Sequence, residues 1–285
     1  MRQFIVEKKQ IHDGLIILEG KDYRYFRQVL RVHPGDMVSV RLPEGELSNA
    51  TVAKVDESAR RLTLQLCAAT GSTITRGVQA GEIAGSSAGV NGAATTEYWL
   101  FQFLPRPQKF EIIVRQATEC GVAFIVPVVG EFTEKSSAEA LKGAKRERLE
   151  RIIKEARQQS GSPIDTKVLE PVSLEEAMEM WAQSGASGPS TEFRDCGEVV
   201  AFVLSERDDC SGNLRQVVQK AGGSEKIKKA AIAVGSEGGI SPEEVKTLEE
   251  KGLFQPIHFA VNILRCETAA IYGIAAVQSM ILGGV

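Results

Sequence analysis

From Tyr98 onward the chain alternates short apolar runs with segments of helical period, and that alternation leaves few folds open. The runs Tyr98–Phe103, Phe124–Val129, Val199–Leu204 and Ala230–Val234 contain no charged residue. Each has the length and composition of a buried strand. Between and after them, Lys109–Cys120, Lys142–Gln159, Leu174–Gln183, Pro242–Lys251 and Glu267–Leu282 carry apolar residues at helical spacing. Strands that alternate with helices predict an α/β fold with a parallel sheet covered on both faces. Two polar, Gly-containing stretches, Ser184–Gly197 and Asp208–Lys229, break the pattern and read as surface insertions.

The first 70 residues follow a different rule. Phe4–Val6, Leu15–Leu18, Met37–Leu42, Ala50–Val55 and Leu62–Cys67 read as short strands, with turn residues at Gly35-Asp36 and Pro43–Glu46. Only Asp22–Val32 has helical spacing, which puts Tyr25, Phe26, Val29 and Leu30 on one face. Short strands with one helix predict a small barrel. Residues 70–97 are dominated by Gly, Ser, Ala and Thr and cannot offset their ordering entropy, so they read as a flexible linker or long loop. The expected organisation is therefore a barrel domain at 1–70, a linker at 71–97 and an α/β domain at 98–285, and a length of 285 residues suits two domains.

Several function classes drop out. Five scattered cysteines without a Cys-x-x-Cys pair argue against a disulfide framework or a zinc site, and His12, His33 and His258 show no metal-ligand spacing. No metal is expected. No apolar run approaches the roughly 18–20 residues that span a bilayer. The N-terminus lacks a signal peptide's apolar stretch, so no membrane association and a cytoplasmic location are expected. Net charge is −3, yet residues 1–70 carry +2 and residues 105–157 carry +3, enough for local phosphate contacts.

The sharpest local signal spans Ala230–Glu244. A buried strand ends at Val234, and Gly235, Gly238 and Gly239 then allow a tight turn and close approach of backbone to a ligand. Ser241 suits an N-cap, Pro242 the first helical position, and Glu244 completes a capping box. A loop between a strand's carboxyl end and a helix N-terminus is the usual ligand position in open α/β sheets. It matches neither G-x-x-x-x-G-K-[ST] nor G-x-G-x-x-G, and Glu237 would repel a phosphate. A ligand with hydroxyls, an adenine or a positive charge fits better. A plain Gly-rich turn before a capped helix would read the same way.

In a second segment, Phe259–Ala270, Arg265 and Glu267 stand beside a strongly apolar stretch, where charges must be paired or bound. An ion pair, within the chain or between subunits, and a catalytic pair both satisfy that need. Cys266 has no His near it in sequence to activate it as a nucleophile.

These segments resemble the RsmE family of SPOUT methyltransferases, which methylate N3 of a uridine in small-subunit (16S) ribosomal RNA. The family's Gly-Pro-Glu-Gly-Gly loop stands here as Gly235–Gly239, and its Leu-Gly-x-x-Ile-Leu-Arg-x-Glu-Thr-Ala motif as Phe259–Ala269. Lys109–Val122, Glu155–Gly161 and Tyr25–Asp36 resemble three further family segments, so the likeness runs along nearly the whole chain. It implies a PUA-like RNA-binding β-barrel, then a SPOUT-type parallel sheet with a C-terminal trefoil knot, a topology that chain-connection rules otherwise exclude. It also implies S-adenosylmethionine as cofactor, a homodimer that the apolar helix Ala269–Leu282 would suit, and ribosomal RNA or the small ribosomal subunit as partner.

Residue by residue, the resemblance assigns Leu204, Ser205, Gly235, Ser236, Glu237, Gly238, Gly239, Ile263, Leu264 and Thr268 to the cofactor. Arg265 and Glu267 become the catalytic candidates, and Arg24, Arg27, Arg31, Lys109, Gln159 and Ser160 the RNA-binding ones. Ser236 replaces the loop proline, Ala260 a glycine of the second motif, and Ser162 an arginine after Gln-Ser-Gly. Two alternatives stay open: action on another RNA position, and a non-catalytic RNA-binding protein.

Overall fold

The computed structural model describes residues 3–67, 96–139, 141, 144–186, 198–205, 213–259 and 261–282. The chain divides into two compact units, Met1–Ala93 with Gln158–Gly161, and Ala94–Arg157 with Ser162–Val285. The linker expected at 71–97 falls almost entirely outside the described residues, as does most of the insertion at 184–197.

The first unit is one mixed sheet of β1 (Phe4–Ile5), β2 (Ile11–His12), β3 (Leu15–Leu18), β4 (Met37–Arg41), β5 (Leu47–Asp56) and β6 (Arg61–Leu66). Its order is β1-β4-β5-β6-β3-β2, parallel at β1/β4 and antiparallel elsewhere. Alternate residues point inward, so Ile16, Leu18, Val40, Ala50, Val52, Leu62 and Leu64 form a core with Phe4 and Phe26. The helix α1 (Gly20–Arg24) continues as a wider helix over Tyr25–Leu30. That widening corrects the predicted face. Tyr23 and Phe26 are buried, whereas Val29 turns out to solvent, because a wider turn no longer brings every third and fourth residue to one side.

The second unit has a parallel sheet. Its strands are β7 (Glu97–Phe103), β8 (Phe124–Val129), β9 (Lys167–Val168), β10 (Val172–Ser173), β11 (Val199–Leu204), β12 (Lys229–Val234) and β13 (Gln255–Ile257). The order is β10-β8-β7-β12-β11-β13, with β9 also on β8, and every pair is parallel. Period two decides which face each side chain joins. Leu100, Phe202, Ala230 and Ile232 meet one core, while Trp99, Phe101, Ala231, Ala233 and Val203 meet the other.

Helices α2 (Pro107–Glu119), α3 (Lys135–Glu139), α4 (Ala144–Ser160), α5 (Leu174–Trp181), α6 (Leu214–Lys220), α7 (Pro242–Gly252) and α8 (Cys266–Leu282) complete the chain. Phe110, Ile113, Val114, Ile274 and Val277, from α2 and α8, fill the first core. Met178, Trp181 and Leu248, from α5 and α7, fill the second. The stretch 208–229 is not merely a surface insertion: Leu214 and Val218 of α6 and the following Ile227 are buried in the first core. Its polar residues hid an amphipathic helix of seven residues, too short to show a clear period. Among the described residues no helix is long and apolar enough to cross a membrane.

Candidate functional site

Because all strands of the second sheet are parallel, Phe103, Val234, Leu204 and Ile257 end at the same edge. The loops leaving these ends gather the two segments singled out from sequence. After β12, residues 235–239 fold on themselves: Ser236 and Gly239 bridge, the Gly239 N–H donates to Ser236 O at 3.1 Å, and the Gly238 N–H donates to Ser236 Oγ at 3.3 Å. Ser236 is buried. A Cβ on Gly235 would lie 2.7 Å from the Gly239 carbonyl carbon, so this position admits only glycine. Downstream, Ser241 and Glu244 exchange the two hydrogen bonds of a capping box, with Pro242 at the first position of α7.

Beneath the loop lies a residue that the sequence reading missed. Gln102, fully buried near the end of β7, directs its Nε2 at three carbonyl oxygens: Phe103 at 2.9 Å, Val234 at 3.3 Å and Gly235 at 3.0 Å. It fixes the point where the loop leaves the sheet. Its Oε1 is buried and has no hydrogen-bond partner among the described residues. The signal was present: one amide inside an otherwise apolar strand is costly unless its polar groups are used.

Charge gathers on the other side of the loop. Lys109, on the first turns of α2, reaches Glu237 Oε1 at 3.4 Å and Glu267 Oε2 at 3.5 Å. The Arg106 backbone N–H also donates to Glu237 Oε1 at 3.3 Å, and the Arg106 side chain pairs with Glu134 at 3.1 Å. The Cys266 thiol donates to Glu267 Oε2 at 3.3 Å. Burial, then the hydrogen bond to Glu267 and the nearby Glu237 charge, push the Cys266 thiol up to about 12, which removes it as a nucleophile at neutral pH. For Glu267, partial burial is outweighed by its own backbone N–H, the Cys266 thiol and Lys109, which hold its carboxyl below the usual range. Lys109 moves the other way: desolvation is outweighed by its surroundings, the Cys266 side chain and the carboxylates Glu237 and Glu267, of which the carboxylates carry the negative charge at neutral pH. Three segments distant in sequence thus share one cation between two carboxylates. Glu267 pairs with Lys109 and not with Arg265, which is exposed, its side chain without an ion pair among the described residues.

The remaining predicted positions divide. Leu204 lies against α8, where a Cβ on Gly273 would come within 2.6 Å of its Cδ1. Ser205 follows it, its N–H donating to Ile257 O at 3.0 Å and its carbonyl facing His258 Nδ1 at 3.2 Å. Ile263 is 80% exposed, Leu264 half-buried and Thr268 exposed, and the Arg265 carbonyl accepts the N–H groups of Thr268 and Ala269 at the start of α8. Ala260 lies outside the described residues.

In the first unit Arg24 and Arg31 are exposed, Arg31 with a left-handed backbone (φ 55°). Arg27 is committed internally, donating to Val32 O at 2.8 Å and pairing with Glu57 at 2.7 Å. Gln159 and Ser160, at the end of α4, are exposed. Ser162, where the resemblance implies an arginine, is buried and its hydroxyl accepts the Ile164 N–H at 3.3 Å. Among the described residues no cluster of His, Cys, Asp and Glu could hold a metal ion.

The residues fit the cofactor that the resemblance implies. A carboxylate inside the loop disfavours phosphate but suits hydroxyl, amine or sulfonium groups. Glycine clears the backbone for close approach, and the orphaned Gln102 Oε1 is an acceptor left over at its base.

Comparison with known proteins agrees. A family model described as RNA methyltransferase domain matches residues 93–278. A ribosomal RNA small subunit methyltransferase E of Aquifex aeolicus is 30% identical over 161 residues, covering 56% of this chain and 58% of that protein. The aligned chain thus spans less than two thirds of that relative. Ribosomal RNA small subunit methyltransferase E 2 of Borreliella burgdorferi is 21% identical over 99% of this chain and 98% of its own. Among solved structures, ribosomal RNA small subunit methyltransferase E from Neisseria gonorrhoeae, bound to S-adenosyl methionine, shares the fold at a TM-score of 0.68, with 21% identity over 98% of this chain and 97% of that one. The resemblance drawn from the motifs is borne out.

Proposed function

The chain belongs to the RNA methyltransferase family, and on that premise we propose that it methylates N3 of a uridine in small-subunit ribosomal RNA, using S-adenosylmethionine. One observation carries the reading: a glycine loop with a carboxylate inside it, locked at the carboxyl edge of a parallel sheet and facing the start of α8. The Neisseria protein, bound to S-adenosyl methionine in its crystal, and the names of the relatives support the cofactor and the ribosomal RNA.

The cofactor would supply a methyl group on a sulfonium that needs little activation. Leu204, Ser205, residues 235–239, Ile263, Leu264 and Thr268 would hold it. What remains for the protein is to bring the imino nitrogen about 3–3.5 Å from the methyl, in line, and to manage the proton that nitrogen loses. Glu267, kept ionised, is the carboxylate available to orient or accept that proton. Arg265, exposed beside it, and Lys109 are the cations available to the developing charge on the uracil oxygens.

In the same reading the first unit is a PUA-like RNA-binding barrel that offers Arg24 and Arg31, Arg27 being taken up by Val32 and Glu57, with Gln159 and Ser160 also on RNA. Residues 71–97 link it to the SPOUT domain at 98–285. The C-terminal segment forms a trefoil knot, α8 builds a homodimer, and the protein works in the cytoplasm.

Two measurements test this. Calorimetric titration with S-adenosylhomocysteine and with NAD should show binding of the first only; binding of NAD alone would overturn the reading. Mass spectrometry of nucleosides from ribosomal RNA of a strain lacking the gene, treated with the protein, should show 3-methyluridine. Methyl on ribose or another base would reject the N3 assignment and leave the family intact.

A further inference from the structure

The turn that closes β8 carries an aromatic ring that the fold does not bury. Across it, the Thr133 N–H donates to Gly130 O at 3.1 Å, and the Gly130 N–H donates to Thr133 Oγ1 at 3.0 Å. From outside, the Glu131 N–H donates to Glu244 Oε1 at 2.7 Å, while the other oxygen of Glu244 accepts the Ser241 N–H at 2.9 Å. One carboxylate therefore ties this turn to the cap of the helix that follows the glycine loop. Gly130 permits it, since a Cβ there would lie 2.5 Å from both Phe103 and Glu244. Phe132, at the tip, rests on the loop: a Cβ on Gly238 would lie 2.7 Å from the Phe132 Cβ. Two glycines make room for this arrangement, yet Phe132 remains 46% exposed.

Turn tips favour small polar residues and glycine. A large ring on a turn pinned at both ends, with half its surface in water, adds little to the core. It does offer a rigid flat face beside a ligand loop. Exposed aromatics of this kind recognise unpaired nucleobases by stacking. The same rim carries two cations, both already paired: Arg106, its side chain 69% exposed, with Glu134, and Lys109 with Glu237 and Glu267. A protein surface covering the rim would have to desolvate those ion pairs, whereas a single stacked base leaves them in water.

We infer that Phe132 is a stacking platform for an unpaired RNA base brought to the glycine loop. The inference rests on the RNA substrate proposed above and adds a residue that fixes how that RNA is held.

The test uses the full chain, saturated with S-adenosylhomocysteine, and a fluorescein-labelled oligouridylate of about ten nucleotides read by anisotropy. F132A should weaken binding roughly 5- to 100-fold, the range expected for one stacked base. F132L, which keeps apolar bulk and protects the fold, should be nearly as weak, and F132W should stay within about twofold of the parent. S-adenosylhomocysteine affinity should be the same in all four proteins. A series of oligomers with one abasic position should contain one that makes parent and F132A equal.

The platform is overturned if F132L binds like the parent, if no variant changes RNA affinity, or if the parent does not bind the oligomer. It is equally overturned if S-adenosylhomocysteine affinity falls in step, since Phe132 would then serve the cofactor loop. Because this assay needs no methyl transfer, it fails separately from the proposed activity. A protein that stacks RNA on Phe132 but forms no 3-methyluridine rejects the activity alone.

Discussion

The two segments that form the site are built in opposite ways. Residues 235–239 are closed on themselves, seated on a fully buried Gln102 and followed by a helix with a complete capping box. Residues 261–265 expose Val261 and Ile263, apolar side chains that a folded chain ordinarily covers, and Arg265 stands out among them. The first segment carries its own reasons for its shape. On the proposed function, the second would find its reasons elsewhere, in a ligand or a second copy that covers those side chains. A site of this kind has one preorganised wall and one completed on binding, which lowers the ordering cost where precision matters most.

The most severe way to break this contrast is to put a methyl group into the closed wall. Gly235→Ala would set a Cβ 2.7 Å from the backbone of Gly239, and backbone cannot swing aside as a long side chain can. Overpacking of this kind costs about 1–3 kcal/mol. We expect affinity for S-adenosylhomocysteine, measured by calorimetry, to fall by up to about 100-fold, and methylation with it. Unchanged affinity would mean that the loop is not the ligand wall.

Lys109 joins the two walls, so removing it sharpens the comparison by about an order of magnitude less. In Lys109→Met, Glu237 and Glu267 lose their shared cation. The Glu267 carboxyl, now held below its usual range, should move upward, because part of the attraction that favours its charged form is gone. If ionised Glu267 serves the reaction, the acid limb of the kcat profile shifts to higher pH and the loss of rate shrinks as pH rises. Turnover near neutral pH should fall about tenfold or less, in keeping with a partly exposed pair. An acid limb that stays in place would remove Glu267 from the proton step.

How much of this was legible beforehand follows the same divide. The continuous apolar runs of β7, β8, β11 and β12 and the signals Ser241, Pro242 and Glu244 are local, so the α/β sheet and the loop could be read directly. Short strands such as β9, β10 and β13 have two or three residues and show no period, and the burial of α6 depends on a core assembled from distant segments. The pairing of Lys109 with Glu267 could not be read at all, since 158 positions separate them and only the fold joins them. Sequence adjacency instead offered Arg265 as the partner. Gln102 was visible as an anomaly, an amide in a buried strand, but its use depends on which loop lies above it, and Phe132 stands out only once the fold shows the turn that carries it.

The smallest expected effect falls on the open wall. Ile263 is 80% exposed, so replacing it with serine removes little that the fold has buried. Substitutions at exposed positions usually change stability by no more than about 0.5 kcal/mol, about 1–2 °C in melting temperature for a unit of this size. Ile263→Ser should therefore melt with the parent while binding S-adenosylhomocysteine, or its own second copy, several-fold more weakly by calorimetry or analytical ultracentrifugation. A drop of about 5 °C would show that Ile263 is covered by its own fold in solution, and the contrast between the walls would be false. Equal melting, equal affinity and equal self-association would show instead that nothing covers the open wall, and the site would then reduce to its closed half.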